Sequence, residues 1–180
     1  MPPLVISLSK SDSHSFSKPT ENSIRLLKGL GVEGDAHSGK TVKHRSRVAV
    51  DPTKPNLRQV HLIQSELFDE LRSKAFDLRP GDLGENILTR GIDLFALPRN
   101  TVLKIGSVAK VQVTGLRNPC HQIEAFKTGL LAEVAIKHED GTLEKKVGIM
   151  GTVLEGGTIK VGDVIQVELP PEPHETLERV

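Results

Sequence analysis

The sequence has little cysteine and few aromatic side chains. One of its 180 residues is Cys, and that cysteine has no internal partner for a disulfide. A single cysteine also excludes an internal iron-sulfur cluster, which usually needs four. Its scarcity suits a reducing compartment, so we expect a cytoplasmic protein. Trp and Tyr are absent and the five Phe are scattered, so no base-stacking surface is expected.

Net charge and long apolar runs are also lacking. The 24 Lys and Arg residues nearly balance the 23 Asp and Glu residues, which leaves a formal charge of +1. Because no overall field would attract nucleic acid or a membrane surface, we predict that the protein binds neither. No segment approaches the roughly 18 apolar residues of a membrane-spanning helix. The first residues lack the basic region of a signal peptide, so none is expected.

Short apolar runs separated by Gly-rich turns predict a mainly β protein, with the strands closed into a barrel. Strands are predicted at residues 4–8, 24–27, 59–63, 87–89, 101–113, 147–154 and 164–169, with a hairpin turn at 106–107. Apolar residues at helical spacing predict short helices at 66–76 and 128–135. We assign 1–169 to one domain and predict that the Pro- and Glu-rich segment 170–180 is a flexible tail.

Two Gly-rich patterns overlap near the N-terminal end. Residues 29–34 spell the dinucleotide pattern GxGxxG, and residues 34–41 spell the phosphate-loop pattern GxxxxGKT. Both patterns place the phosphates on the N-terminus of a helix that follows the glycines directly. Residues 42–47 are polar and basic and have no helical apolar repeat, so we reject both nucleotide folds. The turn amides and the nearby basic side chains could instead hold an anionic group.

The only cysteine, Cys120, lies in a polar loop. Arg117 supplies a cation that favours a thiolate, and Pro119 fixes the backbone before the thiol. In an extended loop neighbouring side chains point to opposite sides, so Cys120 and His121 are not expected to face the same site. The residues alone leave four roles open: core residue, nucleophile, sulfur carrier and metal ligand.

Two alternatives for this site have little support in the sequence. A cysteine hydrolase would combine Cys120 with His37, His61 or His121, but no known signature surrounds the thiol. A zinc site is equally weak, because His37, His44 and His61 lack the usual ligand spacing and only one cysteine is available.

Several motifs in a fixed order carry a family resemblance. They are GLGVEGDAH at 29–37, QVHLI at 59–63, GDLGENI at 81–87, RNPC at 117–120, and GIM at 148–150 followed by Gly162 and Asp163. Over about residues 22–169 the chain resembles a stand-alone MOSC domain, named after the C-terminal domain of molybdenum cofactor sulfurase. The resemblance implies a closed β-barrel with a few short peripheral helices. It also implies a cleft for a molybdopterin-type molybdenum cofactor.

The same resemblance directs the predictions for the site. Cys120 matches the family's functional cysteine and is the predicted molybdenum ligand, a role that suits a soft thiolate. Glu85 is a candidate for proton transfer, and Asn86 for hydrogen bonding to the substrate or the pterin. The predicted cofactor-binding residues are Arg117, Asn118, Gly34, Asp35, His37, His61 and Lys40.

The activity implied by the resemblance is the reduction of N-hydroxylated compounds, such as N-hydroxylated nucleobases or amidoximes. The chain has neither a credible flavin fold nor cysteines for an iron-sulfur cluster, so a separate electron-donor protein or reductase is expected. The alternative is a non-catalytic carrier, in which Cys120 holds a persulfide or binds the cofactor for delivery.

Overall fold

A computed structural model describes residues 1–180, which form thirteen strands and four short α-helices. The strands are β1 (Leu4–Ser9), β2 (Thr20–Glu21), β3 (Ser23–Leu27), β4 (Gly31–Val32), β5 (Val60–Gln64), β6 (Ile87–Arg90), β7 (Val102–Ile105), β8 (Ala109–Leu116), β9 (Ala135–Lys137), β10 (Leu143–Lys145), β11 (Ile149–Glu155), β12 (Gly157–Lys160) and β13 (Ile165–Glu168). The helices are α1 (Arg45–Val48), α2 (Ser65–Ser73), α3 (His121–Phe126) and α4 (Leu130–Val134), with a 3-10 turn at Leu94–Ala96.

Eight strands form one mixed sheet in the order β13-β7-β8-β11-β5-β6-β1-β2, in which only β5 and β6 are parallel. The strands β12-β3-β4 and β10-β9 form two smaller sheets. Val164, just before β13, forms a single β-bridge with Leu4 of β1. The mainly β prediction is therefore confirmed. No sheet closes into a continuous barrel, so the predicted closure is not confirmed.

Two apolar clusters lie on opposite sides of β5. The larger, of 18 buried residues, is enclosed by the sheets and includes Leu62. The smaller, of 11 buried residues, lies under α2, α3 and α4 and includes Ile63. Because successive side chains of a strand point to opposite faces, β5 supplies both clusters at once. This strand therefore joins the sheet core to the helical layer.

The helices confirm two predictions and add an element that was not predicted. Helix α2 begins at Ser65, one residue before the predicted segment 66–76, and ends within that segment. Helix α4 lies inside the predicted segment 128–135. Helix α3 was predicted as an extended loop. Cys120 is still extended, with φ −134° and ψ 169°, but His121 begins the helix. The predicted alternation of side chains after Cys120 is therefore wrong.

The segment 170–180 lies along β8, unlike the flexible tail that its composition predicts. Leu116 donates its backbone N–H to the carbonyl of Glu178 at 2.7 Å, and Val180 donates to the carbonyl of Leu116 at 3.2 Å. The side chain of Leu177 packs against the larger apolar cluster. These contacts hold the end of the chain beside the strand that leads to Cys120.

None of the helices has the length and apolar character that crossing a membrane requires.

Candidate functional site

A cleft of about 650 Å³ collects residues from widely separated parts of the chain, including Cys120. This volume falls in the range of about 300–1,000 Å³ that is usual for small-molecule sites. Six of its lining residues carry Lys or Arg side chains and none carries a carboxylate. The basic residues are Lys18, Arg45, Arg47, Arg58, Arg117 and Arg179. A cleft lined by one sign of charge concentrates counter-ions, so it is suited to anionic ligands.

Cys120 is half-buried and immediately precedes α3. Its carbonyl accepts a hydrogen bond from the backbone N–H of Ile123 at 3.1 Å, which fixes the thiol at the start of the helix. The only side-chain contact of its Sγ is a weak one to Gln122 Oε1 at 3.6 Å. Burial lowers the pKa of both Arg58 and Arg117, and both groups are close enough to Cys120 for its charge to oppose that effect. The thiol is therefore accessible and lies beside two cations.

Arg117 is held in place without a carboxylate partner. One Nη donates to the carbonyl of Leu83, and the guanidinium lies 5.7 Å from the centre of the Phe16 ring. Burial lowers the pKa of Arg117, and the charges of Cys120 and Glu85 oppose that effect. Hydrogen bonding and cation–π contact thus keep a positive charge at the cleft wall.

The glycines of the GDLGEN motif allow a distant loop to reach the cleft. A Cβ on Gly84 would lie 2.5 Å from the carbonyl oxygen of Phe16, and one on Gly81 would lie 2.1 Å from that of Lys18. Both glycines also have positive φ, at 80° and 87°. Their small size lets the segment that carries Phe16 and Lys18 pack directly on this turn.

Lys18 and Asp35 form a buried ion pair behind the cleft surface, with Nζ 3.0 Å from Oδ2. Burial lowers the pKa of Lys18, an effect that the charge of Asp35 opposes. Burial would raise the pKa of Asp35, but its hydrogen bonds from His37 and the charge of Lys18 bring the pKa below the usual aspartate value. The carboxylate is therefore ionised, and one of the six cleft cations is already neutralised.

Asn86 lines the cleft, yet its amide is already committed to the protein. Its Nδ2 donates to Asp35 Oδ2 at 3.0 Å and to the carbonyl of Ser9 at 3.1 Å. Its Oδ1 accepts from the backbone N–H of His61 at 3.1 Å. Both donors are used, so the geometry gives Asn86 a positioning role rather than the predicted contact with a ligand.

Three histidine rings pack against one another on the cleft wall. The rings of His37 and His44 lie 4.4 Å apart at 30°, and His14 meets His37 edge-on at 5.2 Å. Burial lowers the pKa of His44 to about 2, helped by the nearby charges of His37 and Arg58. Burial also lowers the pKa of His37. The stacked rings of His37 and His44 are therefore uncharged at neutral pH.

His61 lines the same cleft but is almost wholly buried, with 5% of its surface exposed. Its Nε2–H donates to the carbonyl of Val147 at 2.7 Å. Burial and then the charge of Arg117 hold its pKa well below the usual histidine value. His61 is thus a neutral histidine whose ring orientation is fixed by its hydrogen bond to Val147, just before β11.

Glu85 lies outside the cleft lining. Its Oε1 accepts from the backbone N–H of Gly81, and its Oε2 has no hydrogen-bond partner. Burial raises the pKa of Glu85 to about 7. The side chain can therefore hold a proton near neutral pH, but it does not contact the cleft where proton transfer was predicted.

The structure brings six of the predicted site residues to the cleft and leaves four outside it. Those on the cleft are Cys120, Asn86, Arg117, Asn118, His37 and His61. Those outside are Glu85, Gly34, Asp35 and Lys40. Of the Gly-rich turn at 29–39 only His37 reaches the cleft, so the predicted use of the turn amides is not supported. Arg45 and Arg47 of the following basic run, on the short helix α1, do line it.

Sequence reasoning missed several cleft residues, among them Lys18, Arg58, Met150 and Arg179. Arg58 directly precedes the QVHLI motif and Met150 ends the GIM motif, so both had a local signal. Lys18 and Arg179 had none, since each arrives through a loop or tail whose docking depends on distant glycines. His121 also lines the cleft with Cys120, contrary to the expected separation of the two side chains.

Comparison with known proteins places the chain in a family. No curated protein matches it. The YuaD protein from Bacillus subtilis has a similar structure, with a TM-score of 0.76, 26% identity, and coverage of 95% of this chain and 98% of that one. YiiM from Geobacillus stearothermophilus shares the fold, with a TM-score of 0.69, 16% identity, and coverage of 97% and 80%. The profile of the MOSC domain matches residues 36–166, and the chain therefore belongs to the MOSC domain family.

Proposed function

We propose that the cleft binds a molybdopterin-type molybdenum cofactor with Cys120 as a metal ligand, and that the protein reduces N-hydroxylated compounds. The observation that carries this proposal is the position of the only thiol, on the wall of a cleft with six basic residues and no carboxylate. Membership of a family associated with this cofactor supports it. The proposal also includes the closed β-barrel that the resemblance to the family implies.

The residues fit the chemistry of this group. Molybdenum held by dithiolene sulfurs is a soft centre, which accepts a thiolate more readily than the carboxylates that the cleft lacks. The cofactor's phosphate requires cations, and guanidinium groups bind phosphate through paired N–H donors. We assign the phosphate to Arg45 and Arg47, the basic run that faces the cleft. When bound, the group supplies a metal that can exchange two electrons with a substrate.

The protein's own residues hold the metal ligand in place and supply protons to the substrate. Arg117, fixed by Leu83 and Phe16, places a positive charge near Cys120, where it would offset the charge of a metal-bound thiolate. Reduction of an N-hydroxy group consumes two electrons and two protons and releases water. His121 is next to Cys120 on the cleft, and a ring nitrogen of this imidazole is our candidate for delivering a proton. The electrons come from a separate donor protein or reductase.

The test is to express the protein in a host that makes the cofactor and to measure molybdenum and pterin in the purified protein. We expect the wild type to carry both and Cys120→Ser to lose most of its molybdenum. Lys104→Ala, which breaks an exposed ion pair with Glu168 outside the cleft lining, is the matched control and should retain metal. A wild type without molybdenum, or equal molybdenum in Cys120→Ser, would contradict the assignment.

A sulfur or cofactor carrier is the second candidate, and one observation favours it. Sγ of Cys120 is accessible and has only the weak contact to Gln122, so there is space for an added sulfur. Mass spectrometry of freshly purified protein distinguishes the two functions. A labile gain of one sulfur on Cys120 without tightly bound molybdenum would favour the carrier.

A further inference from the structure

Arg179 reaches the cleft from the last segment of the described chain, which pairs with β8. The backbone of Leu116 bonds to both Glu178 and Val180, and Leu116 and Arg179 form a parallel bridge. Arg179 is thereby placed on the same cleft as Cys120. Nothing in the proposed binding of the cofactor requires this residue, so its position needs a separate explanation.

Gly115 in β8 is shaped to receive this segment. A Cβ on Gly115 would lie 2.4 Å from the carbonyl oxygen of Glu178 and 2.8 Å from Cβ of Val180. The backbone of Gly115 does not have a positive φ, so any residue could adopt its conformation. Glycine is therefore required here for the close approach of the tail and not for a turn.

Arg58 joins the tail to the cleft wall. Its Nε donates to the carbonyl oxygen of Val180 at 2.7 Å, and a terminal nitrogen donates to the same oxygen. Three of its five N–H groups remain available. Burial, together with the charges of Arg47, Arg117 and Arg179, lowers the pKa of Arg58 to about 10. Neither Arg58 nor Arg179 has a carboxylate partner.

We propose that Arg58 and Arg179 form a subsite for a phosphate monoester carried by the substrate, on the same cleft as Cys120. This inference rests on the proposed function and specifies its substrate as an N-hydroxylated nucleoside monophosphate. Two guanidinium groups that keep free N–H donors match a phosphate dianion better than a singly charged carboxylate, because a guanidinium can bind oxygen atoms through paired N–H donors. The stacked, uncharged rings of His37 and His44 on the same cleft offer a flat surface for the base.

The test compares cytidine 5′-monophosphate with cytidine by calorimetric titration of the purified full-length protein. We expect the nucleotide to bind at least about tenfold more tightly, since charge-assisted hydrogen bonds supply the difference. Arg179→Ala should remove this preference, and Arg179→Lys should keep part of it because a single ammonium replaces the planar group. Gly115→Ala should act like Arg179→Ala by displacing the tail. Arg99→Ala, which alters the same tail only at Glu175, is the matched control and should retain the preference.

Two further measurements separate this inference from the proposed function. Turnover of N-hydroxycytidine 5′-monophosphate should show a lower KM than that of N-hydroxycytidine, and Arg179→Ala should abolish the difference while its molybdenum content stays at the wild-type level. Equal binding of nucleotide and nucleoside by the wild type, or loss of molybdenum in Arg179→Ala, would overturn the subsite. A nucleotide preference in a wild type that binds no molybdenum would support the subsite and reject the proposed function.

Discussion

Lys18 and Asp35 differ from the other ion pairs of this protein because both side chains are almost wholly buried, at 4% and 0% exposure. Exposed pairs contribute little to stability, whereas breaking a buried pair leaves an uncompensated charge in the interior. Asp35 also accepts hydrogen bonds from Asn86 and His37. At the residue scale this carboxylate organises the layer directly behind the cleft.

Asp35→Asn should therefore lower the free energy of unfolding at pH 7 by about 3–5 kcal/mol, because Lys18 loses its partner. The folded-state pKa of Asp35 is depressed, so its contribution is present above the ordinary aspartate pKa and is lost as pH falls below it. Urea denaturation at pH 7 measures the effect. Asp69→Asn, at an exposed pair with Arg90, is the control, and equal costs at the two positions would contradict the argument.

Glu85 predicts a pH dependence of stability opposite to that of Asp35. Burial raises its folded-state pKa from 4.5 to about 7, so the folded protein retains a proton that the unfolded chain releases. The stability that this proton confers is complete below about pH 4.5 and is lost as pH rises through 7. Relative to Glu85→Gln, the wild type should lose on the order of 3 kcal/mol between pH 4.5 and 8.

Urea midpoints measured for both proteins across this pH range give the result. The buried histidines contribute less to the free energy of unfolding as pH falls. They are present in both proteins, so their contribution cancels in the difference between wild type and variant. A difference that does not change with pH would show that Glu85 ionises normally.

At the element scale, the start of β11 depends on a close approach at Gly148. A Cβ there would lie 2.2 Å from the carbonyl oxygen of Leu62 and 2.9 Å from Nε2 of His61. Its φ of 90° adds backbone strain for any other residue. Gly148 thus sets both the pairing of β11 with β5 and the orientation of a cleft histidine.

Gly148→Ala should cost at least about 3 kcal/mol, because collision with β5 adds to the strain of about 1 kcal/mol that a positive φ imposes. Gly141→Ala isolates the strain, since Gly141 has a φ of 86° and no atom within 4 Å of its Cβ position. Chemical denaturation of the two variants measures both costs. Similar losses at the two sites would show that β11 yields to the added methyl group without penalty.

Elements with a strong local pattern were predictable, and elements that depend on distant contacts were not. The hairpin of β7 and β8 was predicted because β8 alternates buried and partly buried residues along its whole length. Helix α3 was missed because it has six residues and only Ile123 is buried, so it carries no helical repeat. The docked tail was missed for another reason: its polar composition predicts flexibility, and only the groove at Gly115 reveals its position.

The candidate site divides in the same way. The motif residues Cys120, Arg117 and His61 were identified because their family pattern is local in sequence. Asp35 was also singled out, but the sequence could not show that it lies behind the cleft and pairs with Lys18. Opposite charges 17 residues apart have no periodic relation, so their pairing follows only from the fold.

At the scale of the whole molecule, the cleft takes residues both from the sheet and from the helical layer. His61 and Met150 belong to the paired strands β5 and β11, while Cys120 is anchored by α3, whose Ile123 is buried in the helical cluster. The position of the Cys120 thiol therefore depends on the smaller cluster, and the wall with His61 and Met150 depends on the sheet. Loss of packing in either cluster should lower stability, but only loss beneath α3 should disturb the thiol.

Ile123→Ala and Ile105→Ala test this division, because both side chains are almost fully buried, one in each cluster. Each substitution should cost about 2–5 kcal/mol through lost burial and the cavity left behind. Under the proposed function, molybdenum content measured well below both unfolding transitions should fall in Ile123→Ala and stay near the wild-type level in Ile105→Ala. Equal loss of metal in both variants would mean that occupancy follows overall stability and that α3 has no separate part in holding Cys120.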